Sequence, residues 1–464
     1  MADVQWVVEA YALLLSALLL VGGALGDRLG RRRVYAVGIL LFAAASIACG
    51  LARGVRQLVT ARAVQGLGAA LLVPGSLAII SASFPERERG RAIGTWSGFS
   101  AMTTACGPVL GGWLIEHLSW RWAFFVNVPI AAAVLGLLFW RVPESRDEGA
   151  SRIDWPGATL VTSGLGGVVY GLVESSRQGW GGSRVLLGLA AGCACLLAFG
   201  VVEARSGSAM VPMALFRSRN FNAANLLTLL LYGALGGIFF FVPLDLIQVQ
   251  GYSATAAGSA GLPFVLILFL LSRWSGGLVD RFGARLPLVV GPITAAAGCA
   301  LLALPSIGGS YWTTFFPAMV VLGLGMAVSI APLTTTVMNA VDARHGGVAS
   351  GINNALSRTA GLLAVALMTG VVLHVFANEM DRRLIDLNLT PDVVTALEAE
   401  RVKLGGAKVP PTVPPSDRLE VDRLLAEAFV SGFRCVALLA AALALASSAT
   451  AALMIDREPL RSSG

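Results

Sequence analysis

The sequence predicts an all-helical membrane protein with about 13 transmembrane helices. Of its 464 residues, 56% are hydrophobic and 13% are charged, which is about half the charged share of a soluble domain. The apolar residues form runs close to the ~20 residues that a helix needs to cross a bilayer core of about 30 Å. Only helices fit such runs, because a spanning segment must satisfy its own backbone hydrogen bonds in lipid.

The apolar runs follow one another with short, charged loops between them. In chain order they cover residues 5–26, 34–52, 58–82, 92–115, 122–140, 156–174, 185–203, 221–243, 254–277, 287–305, 312–333, 347–376 and 430–454. The one long polar segment is 377–428, which we expect to be an external loop.

Arginine is distributed unequally between the two sets of loops, and this predicts the topology. The richer set contains Arg28, Arg31, Arg32, Arg33, Arg87, Arg89, Arg91, Arg141, Arg146, Arg152, Arg205, Arg217, Arg219, Arg281, Arg285, Arg344, Arg457 and Arg461. Because cytoplasmic loops carry the excess of basic residues, we place this set in the cytoplasm of a bacterial inner membrane. The C-terminus is then cytoplasmic, and an odd number of spans puts the N-terminus outside.

Composition also excludes several classes of function. The net charge of +7 comes mostly from these loop arginines, so it indicates topology rather than a nucleic-acid surface. The six cysteines lie inside apolar runs and are predicted to be packing residues, so we expect no metal site. The sequence lacks the ATP-binding Gly-x-x-x-x-Gly-Lys-[Ser/Thr] motif. We therefore expect a transporter without a cofactor, driven by an ion gradient, and not an enzyme.

The loop between the first two runs carries the densest cluster of charge and glycine. It contains Gly23, Asp27, Arg28, Gly30, Arg31 and Arg32. Gly30 permits a tight turn, and the Asp27 carboxylate can face the positive end of a neighbouring helix. Such a contact would hold one conformation of a transporter and break in another, so we interpret the cluster as a conformational gate. The alternative is that the arginines only fix topology.

This string, G-x-L-x-D-R-x-G-R-R, resembles the loop signature of the major facilitator superfamily, and other segments resemble the same family. Arg62 to Ala70 is similar to its fourth-helix motif, and Gly276 to Gly283 echoes the loop signature in the second half. Trp120 to Ile130 resembles a signature of the fourteen-helix drug:proton antiporters. The resemblance implies two six-helix halves related by duplication, with two extra helices between them. The domains are then 1–141, 142–220 and 221–464.

The start of the chain departs from this pattern. The family's first helix, with its acidic motif, has no counterpart, so the first half is incomplete and residue 5 opens the second family helix. Two explanations are open: translation starts upstream of Met1, or the protein lacks this helix. We expect the first.

Glycine and proline interrupt the run at 92–115. Gly107, Pro108, Gly111 and Gly112 resemble the fifth-helix motif associated with antiporters. Proline removes a backbone donor, so a kink is expected, and small residues permit close approach of a neighbouring helix. Packing without a role in antiport is the alternative.

Ionisable residues inside the apolar runs, or close to the end of one in the case of Asp245, are candidates for proton coupling, because charge is costly in a bilayer. They are Arg62, Glu9, Asp245 and Arg358. Arg62 can stabilise a carboxylate and so change its proton affinity. For the two acids the alternative is snorkelling to the interface; for the two arginines it is a structural tether.

Polar and aromatic side chains in the runs are candidates for a substrate cavity. They are Gln65, Trp96, Phe99, Asn353 and Asn354; packing against lipid or other helices is the alternative for the aromatic residues. The sequence as a whole predicts a proton-coupled exporter of small lipophilic or amphipathic compounds, such as drugs or antibiotics, that acts as a monomer in the lipid bilayer. An uptake symporter for a metabolite and a non-transporting membrane sensor are the alternatives.

Overall fold

The computed structural model describes residues 2–146, 154–206, 211–384, 393, 396–397, 409–415 and 417–456. Within its helices, the surroundings of some residues lie outside the description, and the predicted site residues Glu9, Pro108 and Gly112 are among them. The described residues form helices and turns, without strands, so the predicted fold class is confirmed.

The chain forms sixteen α-helices over the described residues. They are α1 (Ala2–Leu29), α2 (Arg31–Leu51), α3 (Val55–Ser83), α4 (Glu86–His117), α5 (Trp122–Phe125), α6 (Asn127–Arg141), α7 (Trp155–Gln178), α8 (Ser183–Arg205), α9 (Arg219–Gln248), α10 (Ala254–Ser259), α11 (Leu262–Gly276), α12 (Leu278–Phe282), α13 (Arg285–Leu301), α14 (Phe315–Asn339), α15 (Gly346–Leu384) and α16 (Arg418–Met454). Single 3₁₀ turns cover Met213–Arg217 and Ala343–His345.

Length and apolar composition make eleven of the described helical segments able to cross a membrane. Two further predicted spans are helical but fall outside that set. The helix α13 is shorter, and α4 begins at Glu86 with a charged first turn. Each predicted run thus corresponds to a helical segment. Several of the helices continue through polar residues beyond the limits of the predicted run.

Helices α15 and α16 are longer than a membrane requires. They contain 39 and 37 residues, or about 55–60 Å at 1.5 Å per residue. The end of α15 and the start of α16 are joined by an ion pair between Arg383 and Glu427. Residues 377–384 and 418–428 are helical, so two helices extend into the segment that the sequence predicts to be an external loop.

The helices pack as two bundles with a hairpin beside them. We call α1 to α6 the first half and α9 to α16 the second half, after the division that the sequence predicts, and the hairpin α7–α8 packs against α1 and α15. The halves meet where α1 packs on α15 and where α4 packs on α11. In the first half, α4 has few contacts with its own neighbours, and this separation leaves a groove described below.

One end of the bundle carries most of the described arginines from the richer loop set. We call it the arginine-rich face; it contains Arg28, Arg31, Arg32, Arg33, Arg89, Arg91, Arg281, Arg285 and Arg344. The last turn of α16 also lies there, where Arg219 and Arg285 donate to the carbonyl oxygens of Leu453 and Ala452. Basic side chains stabilise a helix C-terminus because its carbonyl groups lack partners and its dipole is negative.

Candidate transport groove and gate

Asp27 lies against the first turn of α15, across the interface between the two halves. Its Oδ1 and Oδ2 accept hydrogen bonds from the backbone N–H groups of Gly347 and Val348, each at 3.0 Å. Those N–H groups have no partner within their own helix, and the helix dipole is positive at this end. Asp27 is only 4% exposed. The carboxylate therefore faces a helix N-terminus, as its position in the sequence predicted, and this helix belongs to the other half.

Arg31 neutralises this buried carboxylate. Its Nε and Nη2 donate to Asp27 Oδ1 at 2.9 and 2.7 Å, and Nη2 also donates to the carbonyl oxygen of Arg344 at 3.3 Å. Arg31 is 4% exposed. Because it is buried and paired on both sides of the interface, Arg31 does more than mark the topology.

Glu144, after the end of α6, holds the turn between α1 and α2. Its Oε1 accepts from the backbone N–H of Arg32 at 3.0 Å, and Arg33 lies 3.6 Å from its carboxylate. Gly30, the single residue between the two helices, has a φ of 109°, and an added Cβ would lie 2.7 Å from Glu144 Oε1. The sequence predicted the tight turn but not this acid. The sequence signal for this contact was an acidic residue just after α6, in a loop that the topology places on the same face as Arg32 and Arg33.

Two pairs of glycines bring the halves into backbone contact beside this network. A Cβ added to Gly23 would lie 2.1 Å from the carbonyl oxygen of Gly347, so α1 and α15 touch there. A Cβ added to Gly90 would lie 2.2 Å from the carbonyl oxygen of Gly276, so α4 and α11 touch in the same way. Glycine is needed at these positions because any side chain would force the helices apart.

The two contacts are equivalent in the internal repeat. Gly23 and Gly276 each lie four residues before the aspartate of the repeated loop, Asp27 or Asp280. One turn further from the arginine-rich face, Gly351 meets the Leu19 carbonyl oxygen and Gly94 meets that of Ser272. The repeat therefore closes the arginine-rich face on both sides of the bundle. It is unequal in one respect, since Asp27 is buried and Asp280 is exposed.

An open groove of about 1320 Å³ lies beside α4 in the first half. Its walls are Tyr11, Tyr35, Val73, Ile80, Phe84, Glu88, Arg91, Ala92, Thr95, Trp96, Phe99, Ser100, Thr103, Thr104, Val134 and Arg273. In the second half, α9 packs against α14, α15 and α16. Among the described residues no helix takes the corresponding position beside α3, α4 and α6, and the groove occupies that space.

The predicted cavity residues divide between the groove and the packed interior. Trp96 and Phe99 line the groove. Gln65 is 1% exposed and donates to Ser46 Oγ at 2.7 Å. Asn353 donates to Asn225 and Thr228, at 3.2 and 2.7 Å, and so ties α15 to α9. Asn354 donates to the Ser350 carbonyl oxygen of its own helix at 2.9 Å. These three amides serve packing in this conformation.

The glycines of the predicted antiporter motif differ from expectation. A Cβ added to Gly107 or Gly111 would meet no atom within 4 Å, so no described helix approaches them closely. The physical reason is that this part of α4 is exposed beyond its contact with α11. Pro108 and Gly112 belong to the helix, but their packing lies outside the described side chains.

Arg62 contacts neutral groups. Its Nε donates to the Val7 carbonyl oxygen at 2.9 Å and its Nη1 to Gln65 Oε1 at 2.6 Å. The guanidinium lies 4.3 Å from the centre of the Tyr11 ring. No described carboxylate forms an ion pair with it, so the predicted carboxylate partner is not found in the described part of the chain. The Glu9 side chain lies outside that part.

Asp245 is a buried acid near the end of α9 remote from the arginine-rich face. It is 1% exposed, its Oδ2 accepts from Gln250 Nε2 at 3.5 Å, and its Oδ1 has no hydrogen-bond partner. The Asp245 carboxylate is therefore enclosed by protein near the end of α9.

Comparison with known proteins identifies the family of this chain. Residues 1–365 match the family described as the Major Facilitator Superfamily. The chain belongs to the Major Facilitator Superfamily. It is therefore a membrane transport protein and not an enzyme.

Relatives within this superfamily include exporters. The chain is 32% identical over 466 residues to the tetracenomycin C resistance and export protein of Streptomyces glaucescens, covering 99% of this chain and 86% of that one. It is 36% identical to the multidrug resistance protein Stp of Mycobacterium tuberculosis, over 79% of this chain and 68% of the relative. The puromycin resistance protein pur8 of Streptomyces alboniger is 38% identical, over 79% and 74%.

Solved structures agree on the fold. The human organic anion transporter MFSD10 matches with a TM-score of 0.61 and 14% identity, over 95% of this chain and 83% of that one. The proton:xylose symporter XylE matches with a TM-score of 0.57 and 14% identity, over 96% and 84%. At this identity the likeness concerns the superfamily fold alone.

Proposed function

We propose that this superfamily member exports small amphipathic compounds from the cytoplasm in exchange for protons. The observation that carries the proposal is the Asp27 contact with α15, which links the two halves at the arginine-rich face. The relatives support the direction of transport, since their names describe resistance to and export of tetracenomycin C, resistance to puromycin, and multidrug resistance.

The arginine-rich face is the cytoplasmic one under this proposal, by the excess of basic residues in its loops. The structure then represents a conformation closed toward the cytoplasm, with the C-terminal end of α16 on the cytoplasmic side. Export requires the glycine contacts at Gly23 and Gly276 to open and admit substrate, and then to close again. In the closed state the Asp27 carboxylate is held by two backbone N–H groups and by Arg31. Under the proposal these contacts break when the gate opens, so the gate has two discrete states.

Asp245 is our candidate for the proton carrier. A carboxyl group enclosed by protein is poorly solvated as an anion, so it takes up and releases a proton as its surroundings open and close. Glu9 is the second acid, on the same side of the membrane. The positive charges of Arg62 and Arg358 favour the ionised form of any acidic group that moves toward them. Gly107 and Pro108 support antiport through their resemblance to the antiporter motif.

Drug-driven proton movement tests the proposal. Purified protein in proteoliposomes with an imposed proton gradient would receive tetracenomycin C or puromycin, and the internal pH would be followed with a fluorescent dye. We expect each active drug to collapse the gradient faster, and Asp245→Asn to abolish the effect. Asp342→Asn, at an exposed loop position, serves as the matched control. Drug transport that is independent of the gradient would overturn the proton coupling, and absence of any drug transport would overturn the export function.

A further inference from the structure

A cavity at the arginine-rich face is surrounded by three arginines. It has a volume of about 390 Å³ and lies where α4 meets the corner between α11 and α12. Its walls include Arg91, Leu270, Arg273, Trp274, Gly277 and Arg281. We call it the three-arginine cavity. The first half contributes Arg91 and the second half contributes the other residues, so the cavity spans the second contact between the halves.

The crossing of α4 and α11 brings the Arg91 side chain to this cavity. A Cβ added to Gly94 would lie 2.4 Å from the carbonyl oxygen of Ser272, and one added to Gly277 would lie 3.7 Å from Arg91 Nε. Arg91 therefore lies over the end of α11. Around α4, Arg91 is about 60° from Gly94, whereas Trp96 of the groove wall is about 160° from it. The three-arginine cavity is thus at the helix crossing, although Arg91 also borders the groove.

The positive charge of the cavity is not balanced by its described walls. No carboxylate lines it, and Arg91, Arg273 and Arg281 form no side-chain hydrogen bond or ion pair with a described residue. Asp280, next to Arg281, is exposed and does not line the cavity. Glu88 borders the neighbouring groove. Three guanidinium groups around one cavity without an acid among its described walls favour an anion as its occupant.

The first loop of the internal repeat shows how such a contact is neutralised from within the chain. There the buried Asp27 accepts hydrogen bonds from Arg31 and from two N–H groups of α15. The equivalent residue of the second loop is Asp280, which is exposed. The second contact therefore has arginines from both halves but no buried aspartate at the repeated position. An anion from outside the chain can take that role.

The cavity lies at the level that lipid headgroups occupy. The span that ends at Gly276 contains 22 residues, or about 33 Å, and so crosses a hydrocarbon core of about 30 Å. Leu270 and Trp274, in the cavity wall, are 69% and 56% exposed. An exposed leucine suits contact with acyl chains, and tryptophan is enriched at the membrane interface. The cavity thus has an apolar side toward the core and a basic side toward the headgroups.

We propose that the three-arginine cavity binds the phosphate of an anionic phospholipid from the cytoplasmic leaflet. Arg91 of the first half and Arg273 and Arg281 of the second half donate to the phosphate oxygens, and an acyl chain lies along Leu270. A guanidinium donates two parallel hydrogen bonds to a phosphate, and basic pockets between helices on the cytoplasmic side bind anionic headgroups. No carboxylate among the described walls receives an ammonium group, so phosphatidylglycerol is preferred to phosphatidylethanolamine. This binding goes beyond the export function and requires no drug.

Competition between these two phospholipids tests the assignment directly. The full chain in detergent micelles would receive equal amounts of both lipids with identical acyl chains, and native mass spectrometry would count the lipids that stay bound. We expect the first bound lipid to be phosphatidylglycerol with at least a tenfold preference. Arg281→Gln should lower this preference about fivefold, because one arginine near an anionic membrane surface contributes about 1 kcal/mol. Arg33→Gln removes the same charge from an exposed position on the same face and should retain the preference.

Two further variants separate the contacts with lipid from folding. Arg281→Lys keeps the charge, so it should keep most of the preference. Gly276→Ala should lower the preference, because its added methyl group moves Arg91 away from the arginines of the second half. Equal binding of the two lipids by the wild-type protein, or a preference that survives Arg281→Gln, would overturn the proposal. A preference unchanged in Gly276→Ala would overturn the joint contribution of the halves.

Inorganic phosphate distinguishes a lipid from a soluble anion with the same chemistry. A tenfold molar excess of inorganic phosphate over lipid should leave phosphatidylglycerol bound, because the acyl chain contributes contacts at Leu270 that the free ion lacks. Displacement of phosphatidylglycerol by this excess would show that the cavity takes a soluble phosphate, and would overturn the lipid as its occupant.

Discussion

Gly23 and Gly276 occupy equivalent positions in the two halves, and each lies in backbone contact with a glycine of the opposite half. Gly23 meets Gly347, and Gly276 meets Gly90. The repeated loop therefore supplies more than a charge cluster, because its first glycine sets how closely the halves approach at the arginine-rich face. This pairing makes the closed state of the gate sensitive to a single methyl group.

Gly23→Ala should open the gate permanently. The added Cβ would lie 2.1 Å from the carbonyl oxygen of Gly347, a separation that no packing adjustment of a side chain can relieve. We expect at least about a tenfold loss of drug export with normal membrane insertion. Gly26→Ala is the matched control, because a Cβ there meets nothing within 4 Å. Export at the control rate by Gly23→Ala would show that the backbone contact does not limit transport.

Gly276→Ala should have the same effect through the second contact. Its Cβ would lie 2.2 Å from the Gly90 carbonyl oxygen. Gly277→Ala, one residue further, has only ordinary contacts at 3.5 Å or more and serves as its control. Drug export from intact cells gives the comparison. If Gly276→Ala were silent while Gly23→Ala was inactive, the two halves would contribute unequally to closure.

Asp27→Asn should slow turnover with little change in the substrate concentration for half-maximal transport. The amide keeps the size of the side chain but loses the charge that the α15 N-terminus stabilises, an interaction worth about 0.3–2 kcal/mol. It also leaves Arg31 buried without its anion. The closed state is then less stable, whereas the groove is unchanged. A variant that exports at the wild-type rate would reduce the cluster to a topology signal.

Asp342→Asn provides the control for an exposed aspartate in the turn before α15. Hydrogen bonds from the side chain and backbone of Arg344 lower the pKa of Asp342 to about 2. Since this folded-state pKa lies below the ordinary value, the contact with Arg344 is present above pH 4 and is lost only as the pH falls toward 2. Asp342 is therefore ionised across the range used for transport. We expect its variant to show the wild-type rate and pH profile between pH 5 and 8.

Arg31 and Arg33 give a further matched comparison, two residues apart in the same loop. The Arg31 side chain is 4% exposed and paired with Asp27, whereas that of Arg33 is 71% exposed and lies near Glu144. Breaking a buried ion pair costs about 3–5 kcal/mol, and an exposed pair contributes about 0–1 kcal/mol. Arg31→Gln should lower the midpoint of thermal unfolding in detergent by several degrees, and Arg33→Gln should leave it within error. Equal shifts would contradict the assigned burial.

Much of the fold could be predicted from the sequence because lipid imposes a simple rule on spanning segments. Each apolar run corresponds to a helix, and Gly30 makes the predicted turn. The helix α15 ends later than the predicted run, and α16 begins earlier than the predicted run, because hydropathy does not detect a helix that continues into water. The i,i+4 ion pair between Arg423 and Glu427 was the signal that the start of α16 lies before residue 430.

The gate was predicted only in part. Asp27 could be assigned to a helix N-terminus, but the choice of α15 could not, since backbone N–H groups carry no side-chain identity. The partners Gly90 and Gly347 were missed for the same reason. A signal existed in the shared spacing of Gly90 with Gly94 and of Gly347 with Gly351. The groove depends on how α4 packs across the interface, which no local pattern determines.

The distance across the cytoplasmic end of the gate tests the account most directly. Spin labels at Leu29→Cys on α1 and Asp342→Cys before α15, in a background without the native cysteines, would be measured by double electron–electron resonance in nanodiscs. We expect one short distance in the resting protein, a second and longer distance when an exported drug is added, and a predominance of the longer distance in Gly23→Ala. A single distance that neither the drug nor Gly23→Ala changes would contradict a gate at this face.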